Sequence, residues 1–592
     1  MSSSCSQFTL LLILSSILFI QHSQPANATY LLPIVKDAKK PQYYTSFLLG
    51  TPAFRVYLSI DLSNPWSWFT CHLVGFNDSS YQPVPNSKTY RPIPCVNATC
   101  TSYGSQFCYE CNYPTCAAAK GQTCGSENYG PYYYTHDVSS REVAPLLVDV
   151  ISVYEATGPS QQSSAQLPNF PFSCAYYSEL KGLSSYTKGV LSLARKDASI
   201  HGLIAKTFKV PHKFALCLPS SSSTGINGAM YFGGGPYSLP PSKLDFAQTL
   251  VTTALVVNPV DIGTTFYKGN ASVDYFINVK SILVGGAPIK LNSTLLSIDK
   301  NGVGGTKLST IFPYTILHTQ IYNALVEAFV SKAASMNITR VAPVSSFGAC
   351  FSSKNIVGSK TGPNVPVIDL ALDGKSTWRI YGANSMIKVS NDVRCLAFMD
   401  GGVTPKTSVV IGGKQMEDHL IEFDLESSKL GVTSSLLGKR WRQKQIRKIT
   451  DKVFDQVKTQ TGRGTVSFEE LYIAVLLAYN DINKHLPGPH FDPPSKDKVR
   501  ALMQECDMNL DGELDREEFA KFMGELTKDT LSVISKGLII TLVAAPTLAL
   551  ATRKATEGVP GVGKMVQKLP NSAYASLVTV AVVAIQSVCD GC

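Results

Sequence analysis

Between residues 45 and 437 the apolar positions come in short runs, such as FRVYLSID, GAMYFGGG, YFINVKSILVGG and TSVVIGG, each broken by Gly, Pro, Ser or Asn. Short runs rich in β-branched and aromatic residues, punctuated by turn formers, predict strands. The pattern is mainly β, with helical spacing only in brief stretches such as Ile321 to Ala333. After Lys439 the period changes to that of charged amphipathic helices, up to residue 530. Two apolar stretches follow, Gly537 to Ala551 (interrupted by Pro546) and Ala573 to Val588. Each is short for a membrane span. The tail 531–592 is therefore expected to form either a membrane hairpin or a pair of packed or interfacial helices.

The first residues add a compartment. FTLLLILSSILFI over residues 8–20 is too short to cross a bilayer, and Ala26-Asn27-Ala28 offers the small residues of a cleavage site. Residues 1–28 are expected to be a secretory leader. Secretion predicts oxidised cysteines and glycans, and of the 15 cysteines a dense group lies between Cys71 and Cys124. Cys108 and Cys111 form a close pair with no second pair beside it, which suits disulfides better than zinc. Sequons at Asn77, Asn97, Asn270, Asn292 and Asn337 are candidate glycosylation sites. The net charge of +10 is spread along the chain. It favours acidic surfaces, whereas nucleic-acid binding would need a concentrated basic stripe with aromatics, so no nucleic-acid partner is expected.

The segment Ser59-Ile60-Asp61-Leu62-Ser63-Asn64-Pro65-Trp66-Ser67-Trp68 resembles the V-D-T-G-S-x-x-x-W loop of pepsin-like aspartic proteases. Those enzymes face two such loops across a cleft. Two carboxylates held together share one proton, so that one serves as base toward water and the other as acid toward the scissile carbonyl. Asp61 matches the first carboxylate, but Leu62 and Ser63 replace the hydroxyl residue and the glycine. The counterpart is Gly304-Gly305-Thr306-Lys307-Leu308-Ser309-Thr310-Ile311-Phe312-Pro313-Tyr314, where Ser309 stands at the second aspartate and Ile311 at the glycine. Asp261-Ile262-Gly263-Thr264 looks like a second loop but lacks an apolar strand ending on the aspartate, and is expected to be a surface turn. At Gly189-Val190-Leu191-Ser192, Ser192 replaces a glycine that members of the fold pack beside the first loop.

The S-T-x-x-P-Y second loop, the Cys-rich insertion 95–124 and Gly412-Gly413-Lys414-Gln415-Met416-Glu417-Asp418 together resemble the plant group of basic 7S globulins, extracellular dermal glycoproteins and inhibitors of xylanase and xyloglucan endoglucanase. The resemblance implies a bilobal pepsin-like aspartic protease fold, with lobes at 29–232 and 233–438. It also implies a secreted, catalytically inactive defence protein of the extracellular cell wall. Its expected partner is a protein, such as a microbial wall-degrading glycosidase. The alternatives are an active aspartic endopeptidase and a seed storage or peptide-binding globulin.

Residues 439–530 predict an all-α EF-hand pair. In D-M-N-L-D-G-E-L-D-R-E-E, Asp507, Asn509, Asp511, Glu513 (through its carbonyl), Asp515 and bidentate Glu518 fall at the calcium-ligating positions. Gly512 falls at the sharp turn and Leu514 at the position that pairs with a partner loop. The partner loop, 459–470, carries Val466 and Glu470 but has Thr459, Thr461 and Arg463 where oxygens are needed. One Ca2+ is therefore expected, with the second loop structural. A secretory leader carries such a site where calcium is constantly plentiful. Either the module is a static, calcium-stabilised domain, or two coding units have been joined near Lys439.

Overall fold

A computed structural model of the protein describes residues 29–70, 87–94, 125–127, 143–156, 162–175, 177–222, 228–237, 245–261, 271–437, 465–473, 475–476, 493–507, 511–519 and 521–522. The chain divides into two compact units, Met1–Gly438 and Lys439–Cys592.

The first unit is mainly β. Its spine is an antiparallel series that runs from strand Tyr30–Lys36 to Gly228–Phe232, Lys213–Cys217, Leu420–Asp424, Lys429–Thr433 and Leu250–Val256. The series passes from one half of the sequence to the other at Phe214, opposite Phe423, whose rings stack 4.5 Å apart. Alternation of buried and half-buried residues in Tyr43–Leu49 turns Tyr43, Thr45, Phe47 and Leu49 inward. The core so formed includes Phe47, Leu58, Ile60, Phe170 and Phe172, all at or near zero exposure.

On either side of this spine the same pairing scheme occurs twice. In the first half, Phe54–Asp61 runs parallel to Gly189–Ser192, while Trp68–Thr70 lies antiparallel to it and parallel to Ser173–Ala175. In the second half, Thr306–Leu308 runs parallel to Val409–Ile411, while Thr315–Leu317 lies antiparallel to it and parallel to Phe398–Asp400. The helix Thr319–Ser335 buries Ile321, Leu325, Phe329 and Ala333, one residue per turn. It starts at His318, whose ring accepts from Gln320 N–H, and the chain turns away at Asn337, with φ 58°. Cys350 and Cys395 sit opposite one another on paired strands and form a disulfide.

The second unit packs Val466, Phe468, Leu471, Val475, Val499, Met503, Cys506, Leu514, Phe519 and Phe522 into one core. The helix Lys496–Cys506 is capped by Ser495, whose hydroxyl accepts from Lys498 N–H. Among the described residues no helix is long and apolar enough to cross a membrane. The leader 1–28, the insertion 95–124 and the tail 531–592 lie outside the described residues.

Two buried histidines tie the first unit's stability to pH. His201 lies against Ala194 O and His212 Nε2, each at 2.9 Å, with the Tyr275 hydroxyl at 3.3 Å, and burial brings its pKa down to about 3. His419 donates through Nδ1 to Thr433 O at 2.8 Å, and burial brings its pKa down to about 4. Both are neutral when folded and regain an ordinary pKa near 6.5 when unfolded, so below that pH the unfolded chain binds more protons. Stability is complete above about pH 6.5 and falls toward pH 4, by about 1.4 kcal/mol per pH unit for each histidine. Urea melts of the first unit at pH 7.0, 5.5 and 4.5 should show this slope. His419→Asn, which keeps a donor for Thr433 O, should make it shallower whatever its effect at pH 7.

Candidate functional site

The two repeats present two loops at equivalent places. Asp61 ends its strand, and Ser309 follows Leu308 at the end of the matching one. Each loop is fastened to its parallel partner: Leu193 N–H donates to Asp61 O at 2.7 Å, and Ser309 N–H donates to Ile411 O at 2.9 Å. Asp61 is only 1% exposed, and its Oδ1 accepts from Ser63 N–H at 2.8 Å. That contact closes an Asx turn in which the carboxylate caps its own loop.

Two of the residues that replace the usual loop residues are apolar and buried. Leu62 is fully buried in the main core. Ile311, from the second loop, is 5% exposed and packs with Trp68, Ala175, Leu183 and Val190 of the first half. A methyl-lined contact offers no partner to a water molecule. Ser309, itself buried, brings a hydroxyl, which cannot share a proton with Asp61 as a second carboxylate would.

What the sequence did not reveal is how the loops hold each other. Thr310 Oγ1 donates to Ile60 O, the carbonyl just before Asp61, at 2.6 Å. Loss of the first loop's hydroxyl at Leu62 thus leaves a reciprocal tie from the second loop in place. Gln415 fixes the second loop from behind: its Oε1 accepts from Thr315 N and Oγ1 at 2.9 and 2.8 Å, and its Nε2 donates to Asn384 O and Ala397 O. Glu417, 1% exposed, joins Lys36 and the Tyr43 hydroxyl of the first half to Lys414 of the second. Burial, then the Glu417 charge, keeps the Tyr43 phenol well above its ordinary pKa. The glycine before this cluster is required by space, since a Cβ on Gly413 would meet the Tyr43 ring at 2.4 Å.

Ser192 is integrated rather than merely tolerated. Its hydroxyl donates to Asn64 O at 2.5 Å, and its N–H donates to Ser67 Oγ at 3.0 Å, so it ties the first loop down. Asp261 is half-buried beyond the end of Leu250–Val256 and belongs to neither paired loop; residues 262–264 lie outside the described residues. Its charge supports that of Lys196, whose ammonium lies 4.2 Å from the Trp66 ring centroid and whose pKa burial lowers to about 8. Asn292 and Asn337 are exposed, whereas Asn77, Asn97 and Asn270 lie outside the described residues.

In the second unit, Val466 and Leu514 exchange both backbone hydrogen bonds, N–H to O at 2.9 and 2.8 Å. The two acidic loops are thereby joined. Gly512 adopts φ 78°, a conformation that favours glycine, and donates to Asp507 Oδ2 at 2.9 Å. Asp507 Oδ1 is buried without a hydrogen-bond partner. Glu518 is buried, and its Oε2 accepts from Asp515 N–H. Backbone amides of Glu513 and Glu517 close on Asp511 and Asp515. Asn509 and residues 459–464 lie outside the described residues. Among the described residues no three acidic, histidine or cysteine side chains converge as a metal-holding group; the donors that 507–518 offers are all oxygen, the kind a hard cation such as calcium takes.

An antiparallel spine joining two copies of one loop-bearing motif defines a bilobal, pepsin-like protein. The chain belongs to the xylanase inhibitor family: the model described as xylanase inhibitor N-terminal matches residues 43–234 and that described as xylanase inhibitor C-terminal matches residues 274–434. It is similar to "Probable aspartic proteinase GIP2" of Nicotiana benthamiana, 41% identical over 74% of this chain and 97% of that protein. It is also similar to "Gamma conglutin 1" of Prunus dulcis, 36% identical over 69% of this chain and 87% of that one. Among solved structures, that of edgp covers 70% of this chain and 96% of its own, with TM-score 0.63 and 39% identity. Conglutin gamma from lupine seeds covers 69% of this chain and 95% of its own, with TM-score 0.55 and 28% identity.

If the Thr310 hydroxyl holds the loops together, Thr310→Val should lower the first unit's stability by about 1–2 kcal/mol. Thr310→Ser, which keeps the donor, should lose much less. Paired denaturant melts of the two variants measure the difference.

Proposed function

We propose that this protein is a secreted, non-proteolytic binding protein of the extracellular cell wall, whose partner is a secreted glycosidase that degrades wall polysaccharides. The observation that carries the first part is that Ser309, a hydroxyl residue, stands in the second loop at the place matching Asp61, with Leu62 and Ile311 buried beside the two positions in sequence. Such a centre cannot divide acid and base roles between two carboxyl groups. The family description supports a glycosidase as the target. One relative, named as a probable aspartic proteinase, favours proteolysis as the second reading, and the gamma conglutins favour a storage or peptide-binding globulin.

We further propose that Asp507, Asn509, Asp511, the Glu513 carbonyl, Asp515 and Glu518 hold one Ca2+, and that the module 439–530 is an EF-hand pair stabilised by it. The reciprocal Val466–Leu514 bonds and the partnerless Asp507 oxygen support this reading. Calcium neutralises the crowded carboxylates and thereby holds the two loops closed.

Purified full-length protein, incubated at acid pH with a denatured protein substrate, should show no pepstatin-sensitive cleavage, and Ser309→Asp alone should not create any. Turnover abolished by Asp61→Ala would establish the proteinase reading instead. Binding to a panel of secreted xylanases and endoglucanases, with loss of their activity, supports the inhibitor. Binding of none of them, together with high accumulation in seeds, supports storage.

Calcium titration of the full chain by calorimetry should give one site. Glu518→Gln, which removes the bidentate charge, should weaken it by at least about tenfold, and chelator should lower the melting temperature of the second unit alone. Two sites, or none, would contradict the assignment.

A further inference from the structure

The hairpin made by Tyr43–Leu49 and Phe54–Asp61 has an inner face in the core and an outer face that the segment 184–188 covers at Ser59, whose hydroxyl lies 3.1 Å from that of Thr187. Strand alternation places Tyr44 and Ser46 on that outer face, with Ser59 and Tyr57 opposite them and Arg55 two residues from Tyr57. Tyr186 reaches the same face. Its ring lies 6.1 Å from that of Tyr44, inclined by 28°, and the Tyr57 ring lies 6.4 Å from Tyr44 on another side. Tyr57 and Tyr186, each packed against Tyr44, remain 41% and 51% exposed.

Cations frame the three rings. The exposed Lys40 donates its ammonium to Leu183 O, at the start of the segment that carries Tyr186. Lys188 N–H donates to Tyr57 O, so its side chain departs beside Tyr57. Arg55 is exposed and reaches Ser46 Oγ at 3.3 Å. No acid occurs in residues 40–58 or 183–188. The nearby acid, Asp37, is 3% exposed; burial raises its pKa, but the Ser184 hydroxyl, the backbone amides of Lys39 and Lys40 and the Lys40 charge together bring it down.

We propose that this outer face binds an acidic polysaccharide, a chain of uronate sugars. The apolar faces of successive sugar rings would lie on Tyr186, Tyr44 and Tyr57, and the carboxylates would meet Lys40, Lys188 and Arg55. Aromatic rings supply sequence-tolerant stacking with little loss of side-chain freedom, and the cations supply selection for acidic over neutral chains. A neutral glucan or xylan would leave the cations without partners. The face lies on the hairpin's outside and is independent of target binding as proposed above, so either assignment can stand without the other.

The test is native affinity electrophoresis of the full-length glycosylated protein through gels containing polygalacturonate, xylan or dextran. Polygalacturonate should retard the wild type at low ionic strength, with the effect diminishing as salt rises, and neither neutral polymer should do so. The double variant Tyr57→Ala/Tyr186→Ala should bind polygalacturonate about tenfold more weakly with an unchanged melting temperature, because both side chains are largely exposed. Arg55→Gln should weaken binding and reduce its dependence on salt. Absence of retardation, equal retardation by neutral polymers, or a double variant that binds as the wild type does would each overturn the proposal. So would a double variant that loses a glycosidase target while retaining polygalacturonate, since the face would then be a protein-docking surface.

Discussion

Everything in the first unit depends on two loops meeting at one buried point. Thr310 of one loop donates to the carbonyl before Asp61 of the other, while Ile311 settles among Trp68, Val190 and Leu183 across the divide. One directional bond sets the register and the apolar contact excludes water from it. A hydrogen bond in such surroundings is worth keeping, because its loss leaves a buried group unsatisfied. At the matching ends of these loops stand Asp61, whose Oδ1 accepts from Ser63 N–H, and the buried Ser309.

Around that point the polar groups have been reassigned to holding parts together. Gln415 spends all of its bonding capacity on backbone and on Thr315, and Glu417 draws two lysines and a tyrosine from both halves to one carboxylate. Ser192 performs a similar task for the first loop through Asn64. Their common effect is to hold the two halves and their loops in one fixed arrangement.

The second unit works by another rule. Its core is small, and its two loops are coupled by one pair of backbone hydrogen bonds between Val466 and Leu514. The family match ends at residue 434, so this unit contributes a separate chemistry to the chain.

The sequence by itself determined the mainly β character, the two loop positions and the identity of what stands there, because strand alternation and short motifs are local properties of the chain. Asp61, Ser309, Leu62 and Ile311 could all be read from their neighbours. The residues proposed to hold calcium were also chosen from the sequence alone, because they lie within twelve consecutive positions. Only the tertiary structure decided what those residues touch. That Thr310 reaches Ile60 across 250 positions, that Glu417 gathers Lys36 and Tyr43, and that Ser192 fastens Asn64 are facts of long-range packing. No window of sequence contains both partners. The outer tyrosines were hidden for the same reason: Tyr44, Tyr57 and Tyr186 are unremarkable apart, and they become a surface only when the hairpin and a distant segment bring their rings within reach of one another.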